Sequence, residues 1–339
     1  MAFALTAWIG VASAEEYDAK AEAALIIGPE GTDQACVNCH ARETEAWKET
    51  THYATFKLRH RSKEAAEVQK NLGIKSMKRE GVCLECHYTS VLVRDRVTPQ
   101  WGVSCESCHA PGSKWNDIHN KVGGDPKART LKWGEGKKES EAERAKRIQA
   151  AATKGMIHSR DIYGIATNCV GCHTVPNETL VNKGQHKAGS DFDLVAWSQG
   201  EVRHNFLSSP GAPDNPTNRP AGAEEKRLLY VIGAMVDLET SLRNLGGVKE
   251  KGGAFHKAMV ERVNRARKKV DAILKASDIP VLSAAVKALP ASVDDSSAVT
   301  ADAAKKLGEA TKKFAEKPSG DLAALDKLMP SEVKGKPHE

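Results

Sequence analysis

The chain is poor in aromatic residues, and it has no cysteine outside one repeated motif. Aromatic residues make up 5% and hydrophobic residues 40% of its 339 residues. Because a chain of this length must bury a large apolar surface to fold, this composition indicates that part of the core comes from something other than side chains. No cysteine is left over to act as a free catalytic thiol.

All eight cysteines lie in four copies of Cys-x-x-Cys-His. The copies are Cys36–Cys39–His40, Cys83–Cys86–His87, Cys105–Cys108–His109 and Cys169–Cys172–His173. Two thiols three positions apart can reach the two vinyl groups of one porphyrin, and the next residue can turn its imidazole onto the iron. The sequence therefore predicts four covalently bound c-type haems, here numbered 1 to 4 in chain order, which would supply the missing apolar core.

Two other uses of paired cysteines fit the sequence less well. A pair of zinc sites, each made of two Cys-x-x-Cys elements, would leave the histidine that follows every motif unexplained. A disulfide framework of four vicinal pairs would cross-link almost nothing.

The charge gives no reason to expect a nucleic-acid partner. The formal net charge is +6, but two propionates would add about −2 for each haem at pH 7. Lysines and glutamates also alternate along residues 137–144, as on a solvated helix face.

Residues 1–14 form a short apolar run that ends in Ala12-Ser13-Ala14. The run resembles a secretory signal peptide with its cleavage site, although it lacks a basic residue at its start, and it is too short to span a membrane. We therefore expect a periplasmic or otherwise exported protein without a transmembrane anchor in the mature chain.

The rest of the chain divides at about residue 222. Residues 15–222 carry every motif and form the predicted haem domain, with helical stretches at 62–71 and 139–153. Only 17 residues separate the second motif from the third, so we expect haems 2 and 3 to be near neighbours. The fold class is predicted as mainly α, a multihaem cytochrome c fold with little sheet.

Residues 223–339 contain no cysteine and are predicted to be a helical extension. Apolar residues recur at helical spacing from Leu228 to Leu245 and again from Phe255 to Ile273, with a glycine-rich turn between the two stripes. This pattern predicts an antiparallel helical hairpin, which could pack on the haem domain or join two copies into a homo-oligomer. A weak stripe spans 301–314, and a frayed end is expected at 331–339.

Eight further histidines could complete the irons. They are His52, His60, His119, His158, His186, His204, His256 and His338. An iron held by two histidines is closed and suits electron transfer, whereas an empty sixth position can bind small ligands.

Three stretches resemble the tetrahaem cytochrome c-554 family. They are residues 36–52 (CVNCHARETEAWKETTH), 102–119 (GVSCESCHAPGSKWNDIH) and 168–173 (NCVGCH). The resemblance implies that distal ligands are exchanged between segments. His52 would then serve haem 3, His119 haem 4 and His158 haem 1.

Haem 2 lacks a second protein ligand in the family that the chain resembles. Here an added segment after the fourth motif, residues 179–206, contains His186 and His204. We expect His204 to approach haem 2, with His186, an empty site and His60 as alternatives.

The sequence thus predicts an electron carrier between a redox donor and a redox acceptor. One alternative is an oxidoreductase acting on small nitrogen species at an open haem 2, with Arg203 or His204 as proton donor. Another is a subunit of an oligomeric or extracellular cytochrome assembly. Arg203, Arg94 and Arg96 are candidate partners for haem propionates.

Overall fold

The computed structural model describes residues 17–124, 139–206, 217–290 and 298–339. The predicted signal segment at 1–14 lies outside these residues. The described chain is mainly helical, as the sequence predicts, with one two-stranded sheet. No helix in these ranges is long and apolar enough to cross a membrane.

The N-terminal part is built from short helices. They are α1 (Ala19–Ala23), α2 (Ala41–Lys48), α3 (Thr51–Leu58), α4 (Lys63–Leu72), α5 (Gly81–His87), α6 (Cys105–His109), α7 (Asn116–His119) and α8 (Glu141–Ala152). Polar caps fix several of their ends: the Ser62 hydroxyl accepts a hydrogen bond from the Ala65 amide at the start of α4, and Gly73, with φ of 73°, ends that helix. Ser140 and Glu143 form a capping box that starts α8.

The sheet is a hairpin between the second and third motifs. Strands β1 (Thr89–Val93) and β2 (Arg96–Trp101) pair antiparallel, with Thr89 opposite Trp101 and Val93 opposite Arg96. Arg94 and Asp95 form the two-residue turn with φ values of 49° and 64°, the positive angles that a tight hairpin turn requires. The hairpin brings the end of the second motif beside the start of the third.

Within the described residues, the C-terminal part contains three long helices and four shorter ones. They are α9 (Ile162–His173), α10 (Glu178–Asn182), α11 (Leu194–Ser198), α12 (Ala223–Gly246), α13 (Ala254–Ala276), α14 (Pro280–Lys287) and α15 (Ala298–Glu316). The long ones are α12, α13 and α15. The two predicted stripes form α12 and α13, which pack together. Helix α12 is buried on most of its sides because α9, α11 and α15 also contact it.

One apolar core unites this part of the molecule. It contains 32 buried residues, including Met235 and Leu238 of α12, and also Ala166 and Val170 of α9. Because α9 ends in the fourth motif, that motif is built on the C-terminal core. A domain boundary at residue 222 would therefore cut through a continuous core.

The end of the chain is not frayed as expected. Lys334 forms backbone hydrogen bonds with Ala196 of α11 and with Glu201 after it, and the imidazole of His338 lies 2.9 Å from the carboxylate of Glu49. These contacts attach residues 331–338 to the region that carries the motifs.

Candidate haem sites

The four motifs surround one cavity of about 2390 Å³. All eight cysteines and all four motif histidines line it. Shared among four sites, this volume leaves roughly 600 Å³ for each, within the ~300–1,000 Å³ of ordinary cofactor pockets. The cavity therefore has room for four large cofactors rather than one.

The ends of three helices and one 3-10 turn position the motif histidines in the cavity wall. His87, His109 and His173 are the last residues of α5, α6 and α9, and His40 follows a 3-10 turn at Cys36–Asn38. One helical turn places the imidazole near the two thiols of its own motif. None of the eight cysteines forms a disulfide.

Each motif histidine faces a second histidine across the cavity. The ring centroids lie 6.0 Å apart for His40 and His119, and 6.2 Å apart for His52 and His173. They lie 6.3 Å apart for His87 and His186, and 6.2 Å apart for His109 and His204. Two imidazoles that bind opposite sides of one metal ion, each at about 2.1 Å, put their centroids roughly 6 Å apart. All four pairs have this spacing.

This pairing differs from the one implied by the resemblance. His119 lies beside the first motif rather than the fourth, and His52 beside the fourth rather than the third. His204 faces the third motif rather than the second, which is faced by His186. Sequence reasoning had named His186 only as an alternative, because nothing local in the segment 179–206 distinguishes the two histidines.

His158 lines the cavity but faces no motif histidine. Its Nδ1 accepts a hydrogen bond from the Arg160 amide at 3.1 Å. The preceding residue makes the closer contact with site 3, because the Ile157 carbonyl lies 2.8 Å from His109 Nδ1 and the Ile157 amide donates to the His109 carbonyl. His158 was expected to serve haem 1, but that place is taken by His119. His60 lies outside the residues that line the cavity.

Burial keeps most of these imidazoles uncharged. It lowers the pKa of His87, His109 and His173 to about 4, and that of His119 to about 3. Burial also lowers the pKa of His52. A neutral imidazole is the form that binds a metal, so these residues need lose no proton at pH 7 to become ligands.

Hydrogen bonds at Nδ1 orient several of the rings and leave Nε2 as the ring nitrogen that can bind a metal. The partners are the Ile157 carbonyl for His109, the Ser190 hydroxyl for His173, the Lys187 carbonyl for His186 and the Val202 carbonyl for His204. Such outer partners orient a metal-binding histidine and raise its basicity. At His40 the nearby carboxylate is Glu43, 3.9 Å from Nδ1. Burial is the largest single influence and raises the pKa of Glu43, but His40, the backbone amide and His204 together lower it overall.

The thiols show which sites are neighbours. Cys36 and Cys105 are in hydrogen-bonding contact, and so are Cys86 and Cys172, which raises the pKa of Cys105 and of Cys86. Site 1 therefore adjoins site 3, and site 2 adjoins site 4. Sites 2 and 3 were expected to be near neighbours; the hairpin joins the backbones of their motifs, but the thiol contacts pair each of them with another site.

Several buried polar atoms in the cavity wall have no hydrogen-bond partner, which is what we expect of a cavity that holds a polar-edged cofactor such as haem. Within the described residues, Arg203 Nε, Glu43 Oε1 and His119 Nδ1 are buried and have no hydrogen-bond partner. Buried polar atoms normally find partners, and a haem propionate would suit Arg203. Arg94 and Arg96 lie on the exposed hairpin turn and do not line the cavity.

No group of three or more His, Cys, Asp or Glu side chains in the described ranges is arranged to hold a bare metal ion. Zinc bound by side chains alone would need such a group. Two opposed histidines are instead what an iron needs when a porphyrin supplies its other four ligands.

Comparison with known proteins agrees with the motif chemistry. Residues 35–110 match the family described as "Cytochrome c554 and c-prime". The chain is 30% identical over 99 residues to cytochrome c-554 of Nitrosomonas europaea, a match that covers 26% of this chain and 41% of that protein. The chain thus aligns with less than half the length of that relative, and no solved structure matches it. The resemblance to the cytochrome c-554 family is confirmed for residues 35–110, the segment that carries the first three motifs.

Proposed function

We propose that the protein is an exported tetrahaem c-type cytochrome that relays electrons between redox partners by hopping from haem to haem. The observation that carries this proposal is the set of four opposed histidine pairs, one at each motif. Haem, when bound, supplies one-electron chemistry at its iron. The chain's residues attach it, close both faces of the iron and set its surroundings.

The proposed ligand sets follow the pairs. Site 1 uses Cys36, Cys39 and His40 with His119. Site 2 uses Cys83, Cys86 and His87 with His186. Site 3 uses Cys105, Cys108 and His109 with His204. Site 4 uses Cys169, Cys172 and His173 with His52.

A closed second site favours a carrier over an enzyme. An oxidoreductase acting on small nitrogen species would need an iron with an open sixth position. His186 faces His87 across the second site, which argues against an open position at haem 2. The thiol contacts between sites 1 and 3 and between sites 2 and 4 support a continuous series of closely spaced haems, and Asn168, next to the fourth motif, links sites 3 and 4 by donating to the Ser107 and Cys108 carbonyls.

Replacing the distal histidines tests this assignment. The wild-type protein should carry four haem units by intact mass and show only low-spin iron when oxidised. His52→Ala, His119→Ala, His186→Ala and His204→Ala should each create one high-spin haem that binds carbon monoxide when reduced. His158→Ala is the matched control, because it alters a cavity histidine that faces no motif, and should leave all four haems low-spin. A high-spin haem in the wild type would contradict the closed second site.

A double variant tests the pairing itself. Replacing both His119 and His40 should affect a single haem, because the two residues face each other at site 1. If His119 served the fourth motif instead, the same double variant would affect two haems. Counting low-spin haems against total haem separates the two arrangements.

A further inference from the structure

His204 lies on a loop, outside the helices and strands. It follows α11, which ends at Ser198, and its ring is exposed on the cavity side. By contrast, His52 lies within α3 and His119 ends α7, where the Arg147 guanidinium donates to the His119 carbonyl. A loop ligand must be held by other contacts, because ordering a loop costs backbone conformational entropy.

The side chain of Asn218 supplies such contacts on both sides of His204. Its Oδ1 accepts a hydrogen bond from the Asn205 amide at 2.8 Å. Its Nδ2 donates to the Arg203 carbonyl at 2.7 Å and to the His338 carbonyl at 2.8 Å. Asn218 is 3% exposed, so water cannot readily replace these bonds.

The third bond of Asn218 links the loop to the C-terminal tail, residues 331–339. The Glu201 amide donates to the Lys334 carbonyl, and the Lys334 amide donates to the Ala196 carbonyl, both at 2.9 Å. A Cβ at position 200 would lie 2.0 Å from the Lys334 carbonyl oxygen, so the glycine there permits the close approach. The tail thus crosses the base of the loop and meets Asn218 at His338.

We infer that Asn218, braced by the C-terminal tail, is the positioning residue that holds His204 in the distal place of the third site. This inference rests on the proposed role of His204 as an iron ligand. It assigns a function to two parts of the chain that carry no haem motif. The amide of Asn218 holds the backbone on either side of His204, and the tail limits where Asn218 and the loop can move.

Asn218→Asp tests the inference with almost no change in size. The carboxylate still accepts from Asn205, but it cannot donate to Arg203 or His338 and repels both carbonyls. The oxidised variant should show a high-spin signal from one haem, and the reduced variant should bind carbon monoxide at that haem at least tenfold more than the wild type. Added imidazole should restore the low-spin spectrum. Asn182→Asp is the control, because Asn182 also accepts from a backbone amide through Oδ1 and donates through Nδ2, here to the Glu250 carboxylate in the C-terminal region; the four haems of this variant should stay low-spin.

Deletion of residues 331–339 is the second variant, which also serves if Asn218→Asp yields no folded protein. It should open the same haem to a smaller extent. The inference is wrong if these variants keep four closed haems while His204→Ala opens one. If His204→Ala itself opens no haem, the assignment of the ligand fails instead, so the two failures are distinguishable.

Discussion

The two halves of the molecule are stabilised in different ways. The C-terminal core contains 32 buried apolar residues, whereas the two clusters in the N-terminal part contain five and three. The large core is what a helical bundle of this size needs in order to fold alone. The two small clusters are too small for the N-terminal part to fold alone. This part surrounds most of a cavity that would hold haem.

Polar anchors join the segments of the N-terminal part. The carboxylate of Glu106, within the third motif, accepts hydrogen bonds from the amides of Ile27, Gly28 and Gly112. The hydroxyl of Thr55 donates toward the carbonyls of His52 and His87 and accepts from the Val103 amide. These bonds fix the geometry of the motifs, but each contributes only about 0.5–1.5 kcal/mol net. The comparison indicates that the cofactor stabilises one half of the chain and the apolar core the other.

Removing the haems should therefore have the largest effect, and only on one half. In protein produced without haem attachment, residues 36–124 should lose their protection against hydrogen exchange. Helices α12, α13 and α15 should keep theirs, because their core needs no cofactor. Exchange measured by mass spectrometry on haem-loaded and haem-free protein gives the answer segment by segment. Equal protection in both halves would show that the N-terminal part folds without haem.

Charges placed in the core of α12 should produce the next largest effect. Met235 is 1% and Leu238 0% exposed, so Met235→Asp or Leu238→Asp would bury an unpaired charge. Each should lower the free energy of unfolding by several kcal/mol. Denaturant unfolding followed by the helical signal measures this loss. Val299→Asp on α15, where Val299 is 64% exposed, is the control and should change stability by less than about 0.5 kcal/mol. If Leu238→Asp behaves like this control, the stripe is not a core.

The same contrast explains what could be predicted from the sequence. The stripes of α12 and α13 and the four motifs are local patterns, so periodicity and spacing predict them. The distal histidines are not local: His40 and His119 are 79 positions apart, and nothing near His119 indicates which iron it faces. The resemblance implied a partner for each of three histidines, and the structure pairs His52 and His119 with other motifs. The tail was expected to fray because it is a chain terminus, but backbone hydrogen bonds hold it, and such bonds cannot be read from the side-chain pattern.

Loss of the Glu106 anchor should have a smaller effect, confined to the N-terminal half. Glu106→Gln keeps the size but turns an amide group toward backbone donors, leaving at least one buried N–H without an acceptor. This should destabilise the N-terminal half by about 1–3 kcal/mol. Hydrogen exchange at residues 25–30 and 105–113 should rise while exchange in α12 stays constant. Glu45→Gln, at an exposed position in α2, is the control. An equal response from both variants would show that Glu106 does not anchor the N-terminal half.

The smallest effect should come from a contact within the C-terminal half that supports site 4. The Ser190 hydroxyl lies 2.9 Å from His173 Nδ1, and the Ser190 carbonyl accepts from Arg262, which is buried on α13 and paired with Asp237. If His173 binds iron through Nε2, its Nδ1–H donates to Ser190 and the ring becomes a stronger donor to the oxidised iron.

Ser190→Ala removes that bond and should raise the reduction potential of one haem. A bond worth about 0.5–1.5 kcal/mol corresponds to roughly 20–65 mV for one electron. Potentiometric titration should show one shifted haem and three unshifted ones, with Ser283→Ala on α14 as the control. A uniform shift of all four would place the effect in the fold as a whole, whereas a single shift would show that the C-terminal half tunes the haem bound by its own motif.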